Sequence, residues 1–93
     1  MTRHFKIIKV DDEYIENGRR FSISDKRAPI NVYIKIIPYV CRTYDKNIAK
    51  VAIKETTRGS KKKIFTFEGK RQFVKIFDDY FRYQYNVKVI PLF

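Results

Sequence analysis

The sequence predicts an α+β fold: a single small domain, residues 1–93, in the order β-α-β-β-α-β, with a four-stranded sheet and two helices packed on one face. Two periodicities and one size constraint predict it. Apolar and polar residues alternate in 48–56 and again in 86–90, while 71–85 spaces its apolar residues three and four apart. A chain of 93 residues buries roughly 60 per cent of the surface it exposes unfolded, which supports one modest core and no second domain.

Phe5-Lys6-Ile7-Ile8-Lys9-Val10 has strand composition and stops at Asp11-Asp12-Glu13, with the turn pair Asn17-Gly18 beyond it. Phe21 to Asp25 reads two ways: Phe21 and Ile23 extend a strand, or Ser24 or Asp25 caps the following helix. Pro29 fits a first helical turn, and Ile30, Tyr33, Ile34 and Ile37 follow at helical spacing. Pro38 costs about 3 kcal/mol in a helix interior. The first helix is therefore expected to end near Ile37, with Tyr39-Val40-Cys41 entering the core in another conformation. After the loop Arg42 to Asn47, Ala49, Val51 and Ile53 alternate with Lys50, Ala52 and Lys54, so one face of the next strand packs and the other carries lysine. Thr57-Arg58-Gly59-Ser60 supplies a turn, Lys61-Lys62-Lys63 a cationic tip, and Ile64-Phe65-Thr66-Phe67 the returning strand. From Arg71 to Tyr85, Phe73, Val74, Phe77, Tyr80, Phe81 and Gln84 form the stripe of a second helix, with Lys75, Asp78, Asp79 and Arg82 opposite. Asn86 to Ile90 closes the sheet and Pro91 ends it.

Composition narrows the function. An aromatic fraction of 16% and a hydrophobic content of 44% place the chain among those that fold. The formal charge of +11 exceeds what solubility requires and implies a polyanionic partner. Between Lys46 and Arg71, nine basic residues stand against Glu55 and Glu68, a local charge of +7, so most of the excess lies in one stretch. One cysteine, Cys41, forms no internal disulfide, and Met1-Thr2-Arg3-His4 does not resemble a secretory signal, so a reducing cytoplasmic interior is expected. No run reaches membrane-spanning length, and no membrane partner is expected.

The usual catalytic constellations are missing from the sequence. His4 and Cys41 alone cannot supply the three or four ligands a zinc site takes, so no metal is expected. Gly18, Gly59 and Gly69 form neither a P-loop nor a dinucleotide fingerprint, and no nucleophile motif is present. Asp78 and Asp79, adjacent on the expected helix, point about 100° apart and each has a basic residue four positions away, so a solvated face explains them better than a carboxylate dyad. Neither an enzyme nor a cofactor nor a small-molecule substrate is expected. Cys41 reads as an ordinary small apolar residue.

The cations are the candidate site. Lys50 and Lys54 share a strand face, Arg58, Lys61, Lys62 and Lys63 sit at the hairpin tip, and Lys70, Arg71 and Lys75 open the second helix, so several can track one phosphate backbone. Helix amides near Gly69 would add anion contacts. Tyr83 and Tyr85 either stack on unpaired bases or pack in the core.

The order of these segments resembles the eukaryotic large-subunit ribosomal protein L-twenty-two family. Val51-Ala52-Ile53 looks like the family's lysine-bearing V-T-I strand, Lys63-Ile64-Phe65-Thr66 like its S-K-I-x-V-T strand, and Arg71 to Arg82 like its K-R-Y-L-K-Y-L-x-K-K-Y-L helix. Val87-Lys88-Val89-Ile90 stands for the closing strand, Ile30 to Ile34 for the F-E-K-F-L helix and His4-Phe5-Lys6-Ile7 for the opening K-F-T-I strand. The resemblance implies a structural protein of the large ribosomal subunit that binds ribosomal RNA beside neighbouring large-subunit proteins, with Lys63, Arg71, Lys75 and Arg82 on the RNA. Asp78 and Asp79 stand where the family has lysines, which shifts the expected contact toward Lys61 to Lys63. Two alternatives share the composition: a stand-alone single-stranded nucleic-acid module with an aromatic stacking platform, and a protein–protein assembly subunit that meets an acidic partner.

Overall fold

Six strands form one antiparallel sheet, and a single helix lies on one of its faces, in a computed structural model that describes residues 2–24, 30–77 and 80–91. The elements are β1 (Arg3–Val10), β2 (Glu13–Tyr14), β3 (Arg20–Ile23), α1 (Ile30–Thr43), β4 (Ile48–Glu55), β5 (Ile64–Phe77) and β6 (Tyr80–Val89). The sheet runs β2-β1-β4-β5-β6, and β3 pairs with β1 on the edge that β2 occupies further along. At the other edge lies β6, with β5 as its one strand neighbour among the described residues.

Alternation sets which face packs. Phe5 and Ile7 of β1, Ala49, Val51 and Ile53 of β4, and Phe67 of β5 point toward α1 and are almost fully buried. Val10 joins them because Ile8 forms a bulge, the register stepping from Ile7 opposite Ile53 to Lys9 opposite Ala52. From α1, Val32, Tyr33, Ile36, Ile37, Val40 and Cys41 descend onto this surface, each such aliphatic side chain contributing about 1.5–3 kcal/mol by leaving water. Tyr33 stacks on Phe67 with ring centroids 4.2 Å apart. Burial also pushes the Cys41 thiol upward in pKa, toward its neutral form. Gly69 marks the closest approach of helix and sheet: a Cβ there would lie 1.8 Å from Cγ1 of Ile37.

Two sequence expectations are corrected. Residues 71–77 and 80–85 are strand, not a second helix, so the described residues form a six-stranded sheet with one helix rather than a four-stranded sheet with two. Phe73, Val74, Phe77, Tyr80 and Phe81 fit a helical period, but the segment holds no Ala or Leu and is rich in aromatic and β-branched residues that favour a pleated ribbon. Its hydrogen bonds go to β6, with Phe73 opposite Tyr83 and Val74 opposite Arg82. The segment aligned with the family's second helix therefore has no helical counterpart here. The expected pairs of Asp78 and Asp79 fall outside the described residues, as do Asp25 and Pro29.

The first helix does not stop at Ile37 but runs through Pro38 to Thr43, so Tyr39, Val40 and Cys41 enter the core as helix. Proline deprives the Ile34 carbonyl of its donor, and Ile34 is exposed, so water can take that place. Two residues past Thr43 the chain turns away at Asp45, whose φ of 52° allows the Lys46 amide to donate back to the Cys41 carbonyl at 3.0 Å. Of the two readings of 21–25, the strand is realised, as β3.

Polar contacts lock the sheet's ends. Nε and Nη2 of Arg3 donate to the two carboxylate oxygens of Glu55, both at 3.0 Å, and Thr57 adds its hydroxyl at 2.9 Å. The Arg3 hydrogen bonds hold the Glu55 carboxyl below the usual carboxylate range despite its burial. At the other end, Asp11 donates its amide to the Lys50 carbonyl and accepts the Lys50 amide and the Lys46 ammonium on its carboxylate. Burial alone would raise the Asp11 pKa, but those donors outweigh it and lower it.

Because the folded Glu55 titrates below its unfolded value of about 4.3, its contribution is complete above that pH and is lost as the pH falls through the folded value. Glu55→Gln should cost about 1–3 kcal/mol at pH 7, and its melting deficit against the parent should shrink below about pH 4.3. A deficit constant down to pH 2 would assign the acid response elsewhere. Gly69→Ala should destabilise by about 1–3 kcal/mol by overpacking Ile37, and a double-mutant cycle with Ile37→Ala should show a favourable coupling of at least about 0.5 kcal/mol in urea melts.

Candidate nucleic-acid interface

The face of the sheet that α1 leaves open is where alternation puts lysine. Lys6 of β1 lies directly opposite Lys54 of β4 on one side and Arg20 of β3 on the other, so three cations stand in a row across three strands. Strands spaced about 4.8 Å apart bring all three within about 10 Å. No carboxylate among the described residues pairs with any of them. Like charges directly opposite in a sheet are destabilising, so this row stores repulsion that an anion would relieve.

Further along the same face, Lys50 and Lys88 flank Glu68, which pairs with Lys88 at 3.8 Å, and Lys70 lies between Ile48 and Asn86. Glu68 is the single carboxylate that the pairing places among these lysines.

Past Lys70, β5 and β6 outrun β4 and continue as a two-stranded ribbon, which gives the molecule its 51 Å length. The ribbon's helix-side face carries Arg71, Phe73 and Lys75 against Tyr85, Tyr83 and Phe81. Phe73 stacks on Phe81 with centroids 4.9 Å apart and leans on Tyr83 at 5.4 Å, and Lys75 lies 6.0 Å from the Phe81 ring. With 59%, 47% and 48% of their surface exposed, Phe73, Phe81 and Tyr83 form an aromatic surface open to solvent.

The sequence-predicted cations fall into three groups. Lys50, Lys54 and Lys70 lie on the open face, and Arg82, opposite Val74, follows the same alternation along the ribbon. Arg58, Lys61, Lys62 and Lys63 occupy the β4–β5 loop, which abuts Lys54 because the Glu55 amide donates to the Lys63 carbonyl at 3.0 Å. Lys62 serves that loop itself: with φ at 56° it donates its ammonium to the Thr57 carbonyl at 2.6 Å and to that of Thr56 at 3.2 Å. Arg71 and Lys75 lie on the opposite, helix side, and Arg71 is engaged. Its Nε donates to Asn47 at 3.1 Å, its guanidinium faces Asp45 at 3.7 Å and covers the Tyr83 ring at 4.7 Å. Arg71 thus fastens the ribbon to the α1–β4 loop. The expectation of helix-start amides near Gly69 is corrected too, since Gly69 lies inside β5.

Lys6 and Arg20 were missed. Lys6 alternates legibly with Phe5 and Ile7, but nothing local says that it will face Lys54. Among the described residues no three His, Cys, Asp or Glu side chains gather as metal ligands, and no helix is long and apolar enough to cross a membrane. No protein-family model matches the chain, and neither a curated protein nor a solved structure matches it.

If the cation row is repulsive, Lys54→Gln should stabilise the fold by about 0.2–1 kcal/mol at low ionic strength. The gain should vanish near 1 M salt, where the screening length is about 3 Å. Denaturant melts at the two salt concentrations measure this, and destabilisation at low salt would mean that Lys54 has a favourable partner.

Proposed function

We propose that this chain is a non-catalytic RNA-binding domain that holds the sugar–phosphate backbone on the open face of its sheet. The row Arg20–Lys6–Lys54, which no carboxylate among the described residues neutralises, carries the reading, because it sacrifices stability for a field that an anion rewards. Lys50, Lys70 and the loop cations Lys61 and Lys63 extend the same surface along and beyond the strands. The ribbon adds a second kind of contact: unpaired bases stack on Phe73, Phe81 and Tyr83, each base contributing about 1–3 kcal/mol, beside the ammonium of Lys75. Phosphate contacts of this kind position a strand without reading its sequence.

Ribosomal RNA, with neighbouring proteins of the large subunit in the cytoplasm, is the setting we propose for this binding. Its support is the order of segments outside 71–85 together with the charge. The stand-alone single-strand module remains the second reading, favoured by the exposed aromatic ribbon.

With about five phosphates engaged, log affinity for an RNA oligonucleotide should fall against log salt with a slope of about −3.5 to −4.5. A slope near −1 in a filter-binding titration would remove the phosphate-based mechanism. Lys6→Glu separates function from folding, because it gives the row alternating signs: the melting temperature should rise while affinity drops at least about tenfold. Tyr83→Ala should weaken binding to unpaired RNA by about 1–3 kcal/mol and leave duplex binding unchanged. Co-sedimentation with the large subunit in a high-salt gradient tests the ribosomal setting by itself; oligonucleotide binding without it would leave the stand-alone module.

A further inference from the structure

A groove of about 380 Å³ runs between β3 and α1, on the flank of the molecule away from the ribbon. Arg19, Arg20, Lys35 and Arg42 line it with Phe21 and Tyr39, and no carboxylate is among its described lining residues. The helix builds one wall by spacing: Lys35, Tyr39 and Arg42 recur at four and three residues, on one stripe facing the edge strand. Lys35 spans the groove, donating its ammonium to the Ser22 carbonyl at 2.9 Å.

Arg19 is set in advance. Its guanidinium lies 4.8 Å from the Tyr39 ring and 5.3 Å from the Phe21 ring, themselves an edge-to-face pair with centroids 5.7 Å apart. Contact with ring faces uses none of the guanidinium's N–H donors, and their fork fits the paired oxygens of a phosphate. Beside two aromatic rings, Arg19 has no carboxylate partner among the described residues.

Arg20 belongs to both surfaces. It closes the cation row on the open face and also lines the groove, so the positive surface is continuous around the β3 edge. We propose that the groove is a phosphodiester-binding subsite, which receives the nucleic-acid strand as it leaves the open face and turns around β3. This rests on the RNA-binding reading and gives the strand a direction, across the β-strands from Lys54 through Lys6 to Arg20 and then to Arg19 and Arg42.

The test uses the whole chain with Lys35→Gln and Arg42→Gln together, both exposed residues, against single-stranded RNA of about 4 and about 12 nucleotides. The longer strand should lose about 1.4 from its salt slope, two contacts at about 0.7 each, while the shorter one, accommodated on the open face, should bind as it does to the parent. An unchanged slope for the longer strand, or equal losses for both lengths, would overturn the subsite. Saturation of the groove by inorganic phosphate as tightly as by the longer strand, followed through Tyr39 and Arg19 resonances, would overturn it in favour of a small-anion site. If the parent binds neither length, the RNA-binding reading itself fails, which is a different result from binding that ignores Lys35 and Arg42.

Discussion

One helix pressed on one face of a longer sheet is the constraint behind the rest of this structure. A helix of 14 residues spans about 21 Å, whereas a strand of 14 residues such as β5 spans about 46 Å. The helix cannot cover the sheet along its length, and has no counterpart on the other side among the described residues. Where Ile36, Ile37 and Val40 meet Gly69 and Val51 the protein has a core; where α1 ends at Thr43, the same face of β5 emerges as exposed aromatics. Three surfaces with three chemistries follow from that mismatch: an apolar interior, a lysine-bearing open face and an aromatic ribbon.

Charge and packing are divided between the faces by strand alternation. Lys50 and Lys54 of β4 take even-numbered positions because the odd-numbered Ala49, Val51 and Ile53 are needed in the core, and Lys70 of β5 likewise alternates with Phe67 and Gly69. The exceptions are informative. Glu55 lies on the packed side, and it is accompanied there by both donors of Arg3. Arg71 lies on the same side of β5, and it fastens the ribbon to Asn47 and Asp45 instead of facing solvent. Arg3 and Arg71 on the closed side thus serve structure, whereas Lys6, Arg20 and Lys54 on the open side have no carboxylate partner among the described residues.

How much of this was legible depended on whether the deciding interaction was local. Lys50 and Lys54 could be assigned to an exposed face because a short run of alternation suffices for β4, and the basic loop 57–63 followed from its turn residues. The segment 71–85 was misread because Arg71 and Lys75 occupy the same strand face as Phe73, hiding a period of two behind an apolar spacing that also fits a helix. Pairing decides the matter, and it rests on β4, outside the segment, and on the antiparallel pairing of β5 with β6, which an apolar spacing does not reveal. Pro38 misled in a simpler way, since its cost is reduced where the orphaned carbonyl meets water. The cation row was illegible for a different reason: Lys6, Arg20 and Lys54 become neighbours only through the register of three strands.

The outer border of β6 also has a bearing on how the molecule coexists with its own copies. As the terminal strand of the sheet it offers amides and carbonyls along its length, a template to which a second molecule can add its own strand. Arg82 and Lys88 stand along it, and their mutual repulsion between molecules is what discourages lateral stacking. Ionic strength screens that repulsion. Concentrated salt therefore weakens the guard on this border, and dilution, not more salt, is what keeps the chains apart.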